Sequence, residues 1–469
     1  MRLRGRCAVM ARGLSAALAA AGFLLSACEP EPRQWLVSVS TDAPAPRFGD
    51  HLLLEVMGEG AICTGCMRLI GVDGPDSLPV SFGVVPREEG AAVRVRARLY
   101  RAEQAGPDGL PGGPALIDAV ARLPPLDGET HVALDLSMRC FGVPSLPEQR
   151  ATCDPEAGAL APEPVLPLLS EVEARPEPGS WPSAAPVPCQ GPAPAGMVCV
   201  PGGVFLLGTP RPGYTIDLDE LSQPERLVRL GAFAIDADEV TVGMVRELVA
   251  TGQIRSEPVA RDLDAPGSDL GACTYLGASD GANDALPVNC VTHALAEEAC
   301  SARGLRLPTE AEWEVAAGNL DDETAYPWGN GGDLCAMALL GRGRGSGEAD
   351  QGVFENSGCR PLDAPVPWGP VAGGAPSDVT ALGIRNLAGN MSEWVADTFA
   401  PYAAPCWQSG GPLLVDPVCR EPAPGAALGF SYRGSSWSGY KLGARATARS
   451  HERASAFNPA TGFRCARPM

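Results

Sequence analysis

The chain has 469 residues, with 36 Lys and Arg against 56 Asp and Glu, a formal net charge of −20. That length allows two or three domains with well-filled cores, and the acidic balance lacks the basic footprint that nucleic-acid phosphates require. Lys441 is the only lysine, so Schiff-base or lysine-nucleophile chemistry has a single candidate residue.

Arg2, Arg4, Arg6 and Arg12 precede an apolar run from about Leu14 to Leu25. A positive segment followed by a short apolar one is the pattern of a secretory signal, not of a spanning helix. The run ends in Leu25-Ser26-Ala27-Cys28, and small residues directly before a cysteine resemble a bacterial lipobox. By that resemblance residues 1–27 are a lipoprotein signal peptide and Cys28 is the lipidated N-terminus. The membrane partner would be the bacterial cell envelope, at the outer membrane or the periplasmic face. Ordinary cleavage that leaves Cys28 free is the alternative. Several acyl chains hold a membrane firmly, where one binds marginally. Setting aside Cys7 and Cys28 leaves 14 of the 16 cysteines, an even number that permits full pairing in an oxidising compartment. Without the signal's four arginines the net charge becomes −24.

Residues 28–50 read as a tether. Over 51–153 the apolar runs are short and β-rich, such as Leu52 to Val56, Pro79 to Val85 and His131 to Leu136. The run Ala92 to Tyr100 alternates apolar residues with Arg94, Arg96 and Arg98, which predicts a half-buried strand with a solvated face. Gly, Pro and Asp clusters separate the runs at sandwich-like spacing, so a small β-sandwich is expected. Cys63 and Cys66 form a CxxC pair. In an exported β context, with no helix pattern after it, this spacing suits a structural disulfide better than a redox pair, and no second CxxC or clustered His supports zinc. Residues 154–195 are rich in Pro, Ala and Glu, and read as an extended linker closed by Cys189 and Cys199.

Residues 196–469 form the last unit. Strands are expected around Pro201-Gly202 and at Phe233 to Asp236. Thr241 and Thr292 are helix N-caps, and Thr309-x-x-Glu312 is a capping box just past Pro308. That third helix is expected to bury Trp313 and Ala316.

An ordered series of short motifs runs through this unit. It comprises Gly196-Met197-Val198, Pro201-Gly202-Gly203, Asp238-Glu239-Val240-Thr241, Leu286-Pro287-Val288-Asn289 and Arg306 to Glu314. Further on stand Tyr326-Pro327-Trp328-Gly329, Asn386 to Trp394, Arg433 to Trp437, and Gly462-Phe463-Arg464-Cys465. In that order the series resembles the formylglycine-generating enzyme (sulfatase-modifying factor) family. The resemblance implies an α+β fold, C-type-lectin-like and low in regular secondary structure, behind the small β-sandwich.

The resemblance also implies roles. A family disulfide falls on Cys300 and Cys465, closing a loop of over 160 residues, which is worth roughly 4–5 kcal/mol in the chain-entropy model. The second family bridge falls on Ala317 and Ala446, where both partners are missing together. Proximity in sequence suggests Cys273–Cys290, Cys335–Cys359 and Cys406–Cys419 as further pairs. A family calcium site falls on Asn386, Gly389, Met391 and Glu393, a set of oxygen donors suited to a hard cation. The same segment, Asn390-x-x-Glu393, is also a capping-box pattern that starts a helix. The other family calcium site has Met337 where it needs Asn.

The catalytic family holds copper(I) on two cysteines downstream of a serine. Ser436 matches that serine, and the two cysteine positions fall on Gly439 and Ala444. Neither offers the soft donor that copper(I) requires, and no cysteine lies between Cys419 and Cys465. Copper is therefore not expected. A related branch uses three histidines on iron, but this unit has only His293 and His451. Two functions follow. One is a non-catalytic binding or structural module for an unidentified protein, peptide or surface ligand, with Arg433, Lys441, Arg445, Arg449 and Arg453 giving its groove positive charge. The bland alternative for those cations is surface pairing with carboxylates. The other function is a formylglycine-generating oxidase acting on sulfatases, or a non-haem iron enzyme of the same superfamily.

Overall fold

A computed structural model describes residues 33–469, apart from 59–61, 87–89, 91, 113–115, 173, 210–220, 265–269, 342–358, 360–368, 409–410 and 422–428. The leader 1–27 and Cys28 lie outside the described residues. No helix among those described is long and apolar enough to cross a membrane.

The first unit comprises β1 (Gln34–Thr41), β2 (His51–Met57), β3 (Ile62–Gly71), β4 (Val80–Val84), β5 (Arg94–Tyr100), β6 (Ile117–Arg122), β7 (Glu129–Leu136), β8 (Ala151–Asp154) and β9 (Ala159–Pro162). Three sheets result, ordered β4-β1-β7, β3-β2-β5-β6 and β8-β9. The two larger sheets enclose one apolar core, to which β1 gives Trp35, Val37 and Val39 and β5 gives Val95, Ala97 and Leu99. This period-two alternation is what a strand with one face in the core requires. Cys66 is disulfide-bonded; the Cys63 side chain is outside those described.

Three expectations are corrected here. The segment 28–50, expected to be a tether, carries β1, the middle strand of the β4-β1-β7 sheet, and places Ala43 and Phe48 in the core. The arginine face of β5 is not solvated. Arg94 pairs with Glu163 at 2.9 Å, Arg96 forks onto Asp118 at 2.8 and 2.6 Å, and Arg98 reaches Glu55 at 2.9 Å. One of these partners, Glu163, belongs to the segment expected to be a linker, which packs against the sandwich. Within 154–195, Leu166 and Trp181 enter the sandwich core, Val165 bridges Arg122, and Leu168 bridges Val132. A proline-rich chain is already extended, so laying it along a sheet costs little further backbone entropy. Its scattered Leu and Trp side chains then supply the apolar contact. Cys189 and Cys199 close its end, with Cα atoms 6.2 Å apart.

The second unit comprises β10 (Met197–Val200), β11 (Gly203–Leu207), β12 (Arg226–Leu230), β13 (Phe233–Asp236), α1 (Val242–Ala250), α2 (His293–Ala302), α3 (Glu310–Ala317), α4 (Leu334–Met337), β14 (Ser392–Thr398), β15 (Leu413–Val415), β16 (Gly429–Arg433), β17 (Arg449–Arg453), β18 (Thr461–Phe463) and β19 (Ala466–Pro468). Its sheets are β10-β13-β19, β11-β12-β15 and β17-β16-β14-β18, so the architecture is α+β with short elements and long connections. The three threonine caps stand where the sequence places them: Thr241, Thr292 and Thr309 accept from the backbone amides of Met244, Leu295 and Glu312. Glu312 returns the favour to the Thr309 amide at 2.9 Å, completing the capping box. Cys300 on α2 bonds Cys465 just before β19, and Cys273–Cys290, Cys335–Cys359, Cys406–Cys419 and Cys140–Cys153 are also closed. Ala317 and Ala446 lie in one buried cluster, filling with methyl groups the place of a second bridge.

The two units share apolar packing. Val204, Leu206 and Leu227 belong to the same cluster as the sandwich core. Ion pairs surround that seam. Arg47 meets Asp321 at 2.7 Å, and Arg101 is held between Glu225 at 3.1 Å and Glu323 at 2.6 Å.

Candidate functional site

The site is built around α3. All eight of its residues are buried, including Glu310 and Glu314. Buried carboxylates need cations or several donors, and β16 and β17 supply them. Arg449 forks onto Glu310 with both contacts at 2.8 Å, and Arg433 reaches Glu310 at 3.2 Å and also pairs with Glu314. Glu314 further accepts from the Gly208 amide at 2.6 Å and the Tyr402 hydroxyl at 3.2 Å. Burial pushes the Glu310 carboxyl up, but the two guanidiniums outweigh it and hold the group below the usual carboxylate range. Arg449 also lies over the Tyr402 ring, 3.7 Å from its centroid.

These contacts correct the expectation of a cationic groove. Arg433 and Arg449 are fully buried struts whose charge is spent on α3. They clamp the two ends of the loop 434–448 and leave their charge unavailable to a ligand. Arg453 remains exposed, and Lys441 is half-buried.

The loop between the struts turns tightly. Ser435 donates to the Tyr440 carbonyl at 2.8 Å, the Gly439 amide donates to the Ser436 carbonyl at 2.9 Å, and the Ser438 amide donates to the Ser436 hydroxyl at 3.3 Å. The Ser436 hydroxyl is thereby drawn into its own turn, and the residue is only 2% exposed. A Cβ at Gly439 would stand 2.4 Å from the Ser435 hydroxyl oxygen and 2.9 Å from the Ser436 nitrogen. Ala444 is buried in an apolar cluster with Ala338, Leu340, Cys359 and Ala388. One copper-ligand position is closed by backbone and the other by packing.

This loop is stitched to the segment 386–393 by backbone bonds from Ser435 to Ala388 and from Trp437 to Asn390. Asn386 and Asn390 have φ of 61° and 67°, a left-handed conformation that asparagine tolerates better than most residues. Their side-chain amides both donate to Glu239, at 2.9 and 2.8 Å. Glu393 accepts a fork from Arg464, both bonds at 2.7 Å, and the Trp313 indole at 2.8 Å. Asp378 accepts from the amides of Ala388 and Gly389 at 3.1 and 2.9 Å. Burial pushes both Glu239 and Asp378 up to about 7. Ser392 opens β14 rather than a helix, so the Asn390-x-x-Glu393 pattern is not a helix start.

The donors of this segment fit a hard cation in kind. Glu239, Glu393 and Asp378 are all buried; Arg464 acts on all three, and Arg385 also acts on Glu239. Among the described residues no group of three or more His, Cys, Asp or Glu side chains is gathered to hold a metal. The residues expected to hold calcium, Asn386, Gly389, Met391 and Glu393, share one turn, in which Arg464 and Trp313 engage the Glu393 carboxylate and the Ala375 amide donates to the Asn386 oxygen at 3.2 Å. The histidines do not assemble. His293 is buried, bonds the Val395 carbonyl at 2.8 Å and stacks on Phe430, whereas His451 is exposed and stacks on Phe399.

Sequence reasoning named Ser436, Gly439, Ala444 and the Asn386–Glu393 segment. It did not assign roles to Glu239, Glu310, Glu314, Asp378 or Arg464. Glu239, Glu310, Glu314 and Arg464 lay within quoted motifs, and only their burial shows what they do.

Comparison with known proteins agrees with this architecture. The family model described as sulfatase-modifying factor enzyme 1-like domain matches residues 183–469. A formylglycine-generating enzyme of Thermomonospora curvata is 32% identical over 313 residues, covering 58% of this chain and 93% of that protein. An inactive C-alpha-formylglycine-generating enzyme 2 of Mus musculus is 30% identical over 232 residues, covering 44% of this chain and 70% of that protein. The solved structure of PvdO from Pseudomonas aeruginosa is 22% identical, with a TM-score of 0.42 over 58% of this chain and 94% of its own. With its α+β second unit, this chain belongs to the sulfatase-modifying factor family, that of the formylglycine-generating enzymes.

Proposed function

We propose that this protein is a lipid-anchored member of the bacterial cell envelope whose sulfatase-modifying-factor unit is non-catalytic and serves as a binding or structural module. One observation carries the reading: the two positions of the copper thiolates are Gly439, with no room for a Cβ, and Ala444, enclosed in an apolar cluster. Copper(I) needs two soft donors, and neither position can present one. The mouse relative described as inactive is a family precedent for a fold kept without the activity. The lipid anchor on Cys28 rests on the lipobox resemblance and would tether the module to the envelope. Mass spectrometry of the purified protein should find a diacylated or triacylated N-terminal Cys28; an unmodified cysteine would remove the anchor.

The test of the non-catalytic reading is reconstitution with copper(I) and a cysteine-containing sulfatase peptide. The expected result is no stoichiometric copper binding and no formylglycine. Formylglycine in the product would replace this reading with the oxidase.

Calcium on Asn386, Gly389, Met391 and Glu393 is the second part of the proposal. Bound there, it would brace the turn 386–393, with no part in a reaction. Chelation should then lower the melting temperature, and added calcium should restore it. An unchanged melting temperature would count against the site.

A further inference from the structure

Between the two units lies an open cleft of about 710 Å³, within the range of small-ligand sites. Leu116, Phe141 and Val143 of the sandwich form one wall, and Arg226, Gln408 and Pro412 of the second unit form the other. Arg226 is unusual in this acidic protein. Its Nε donates to the Tyr402 carbonyl at 2.8 Å, and among the described residues no carboxylate pairs with it. Burial lowers its pKa, with no anion to oppose the effect. Two other interface arginines are matched: Arg47 by Asp321, and Arg101 by Glu225 and Glu323. Glu225 is the carboxylate that shares the cleft, and it is tied to Arg101 and Gln104. A half-buried guanidinium that lines a cleft with an apolar wall, and that no carboxylate among the described residues neutralises, is an incomplete recognition element. Guanidinium forks match carboxylates and other planar or tetrahedral oxyanions.

We propose that the inter-unit cleft binds a small ligand carrying an oxyanion, with Arg226 holding the anionic group and the Leu116–Phe141–Val143 wall covering its apolar body. This site is separate from the loop 434–448, so it stands whether or not that loop is catalytic. The probes are N-acetylphenylalanine and its neutral amide, titrated calorimetrically into the purified full chain and into R226Q. The glutamine of R226Q can still donate to Tyr402. The expected result is binding of the acid but not of the amide, and loss of the acid's affinity by about tenfold or more in R226Q. Equal binding of acid and amide, binding of neither, or unchanged binding in R226Q would each overturn the proposal. The acid–amide comparison on the wild-type protein decides the matter if R226Q does not fold.

Discussion

At position 439 the deciding quantity is a distance. A side chain there meets the Ser436 nitrogen at 2.9 Å, and backbone cannot step aside as the tip of a flexible side chain can. G439A should therefore destabilise the protein by about 1–3 kcal/mol, the usual cost of overpacking. Urea denaturation measures it, and a neutral result would mean the turn is looser than drawn. That no cysteine stands at 439 or 444 was legible by counting along the chain. That position 439 has no room for one was not, because the obstruction comes from a turn closed by Ser435, Ser436 and Ser438. The arginines make the same point. Arg433 and Arg449 look like surface cations in the sequence, and become buried struts only because α3 brings Glu310 and Glu314 beneath them.

Among the elements, α3 was the most legible at its start and the least legible in its environment. Thr309 and Glu312 announce the capping box through local bonds three residues apart. No periodicity announces that Glu310 and Glu314 face inward, since a helix buried on every side has no polar face to reveal. The proline-rich segment 154–195 misleads for the opposite reason. Its composition suggests a free linker, yet Leu166 and Trp181 dock on sheets far away in sequence. The bridge from α2 to the C-terminal strand spans a sequence separation of 165. Replacing Cys300 and Cys465 together by alanine should cost roughly 4–5 kcal/mol. Chemical denaturation of the double variant checks this, and a loss below about 1 kcal/mol would show that the surrounding core alone holds the two segments.

At the scale of the whole molecule, the seam between the units should respond to pH. Burial pushes Glu225 up to about 8, with Arg101 opposing. A carboxyl whose folded pKa is raised adds stability below its unfolded value and loses it as pH climbs through the folded value. The melting temperature should thus fall between pH ~5 and ~8, and E225Q should flatten part of that slope. A melting temperature that rises across this window, or an E225Q slope equal to wild type, would contradict the placement of Glu225.

The sequence by itself determined the order of the units, the family, the caps, the bridge between Cys300 and Cys465 and the missing copper thiols. The caps are written in residue identity and short spacing, and the bridge and the copper positions in the ordered motifs that resemble the family. Only the tertiary structure decided that two arginines are struts, that the proline-rich segment packs, that 439 has no space, and that no carboxylate among the described residues pairs with Arg226 at the seam. These depend on segments far apart in the chain being pressed together, and burial then sets the cost of every charge and every added atom.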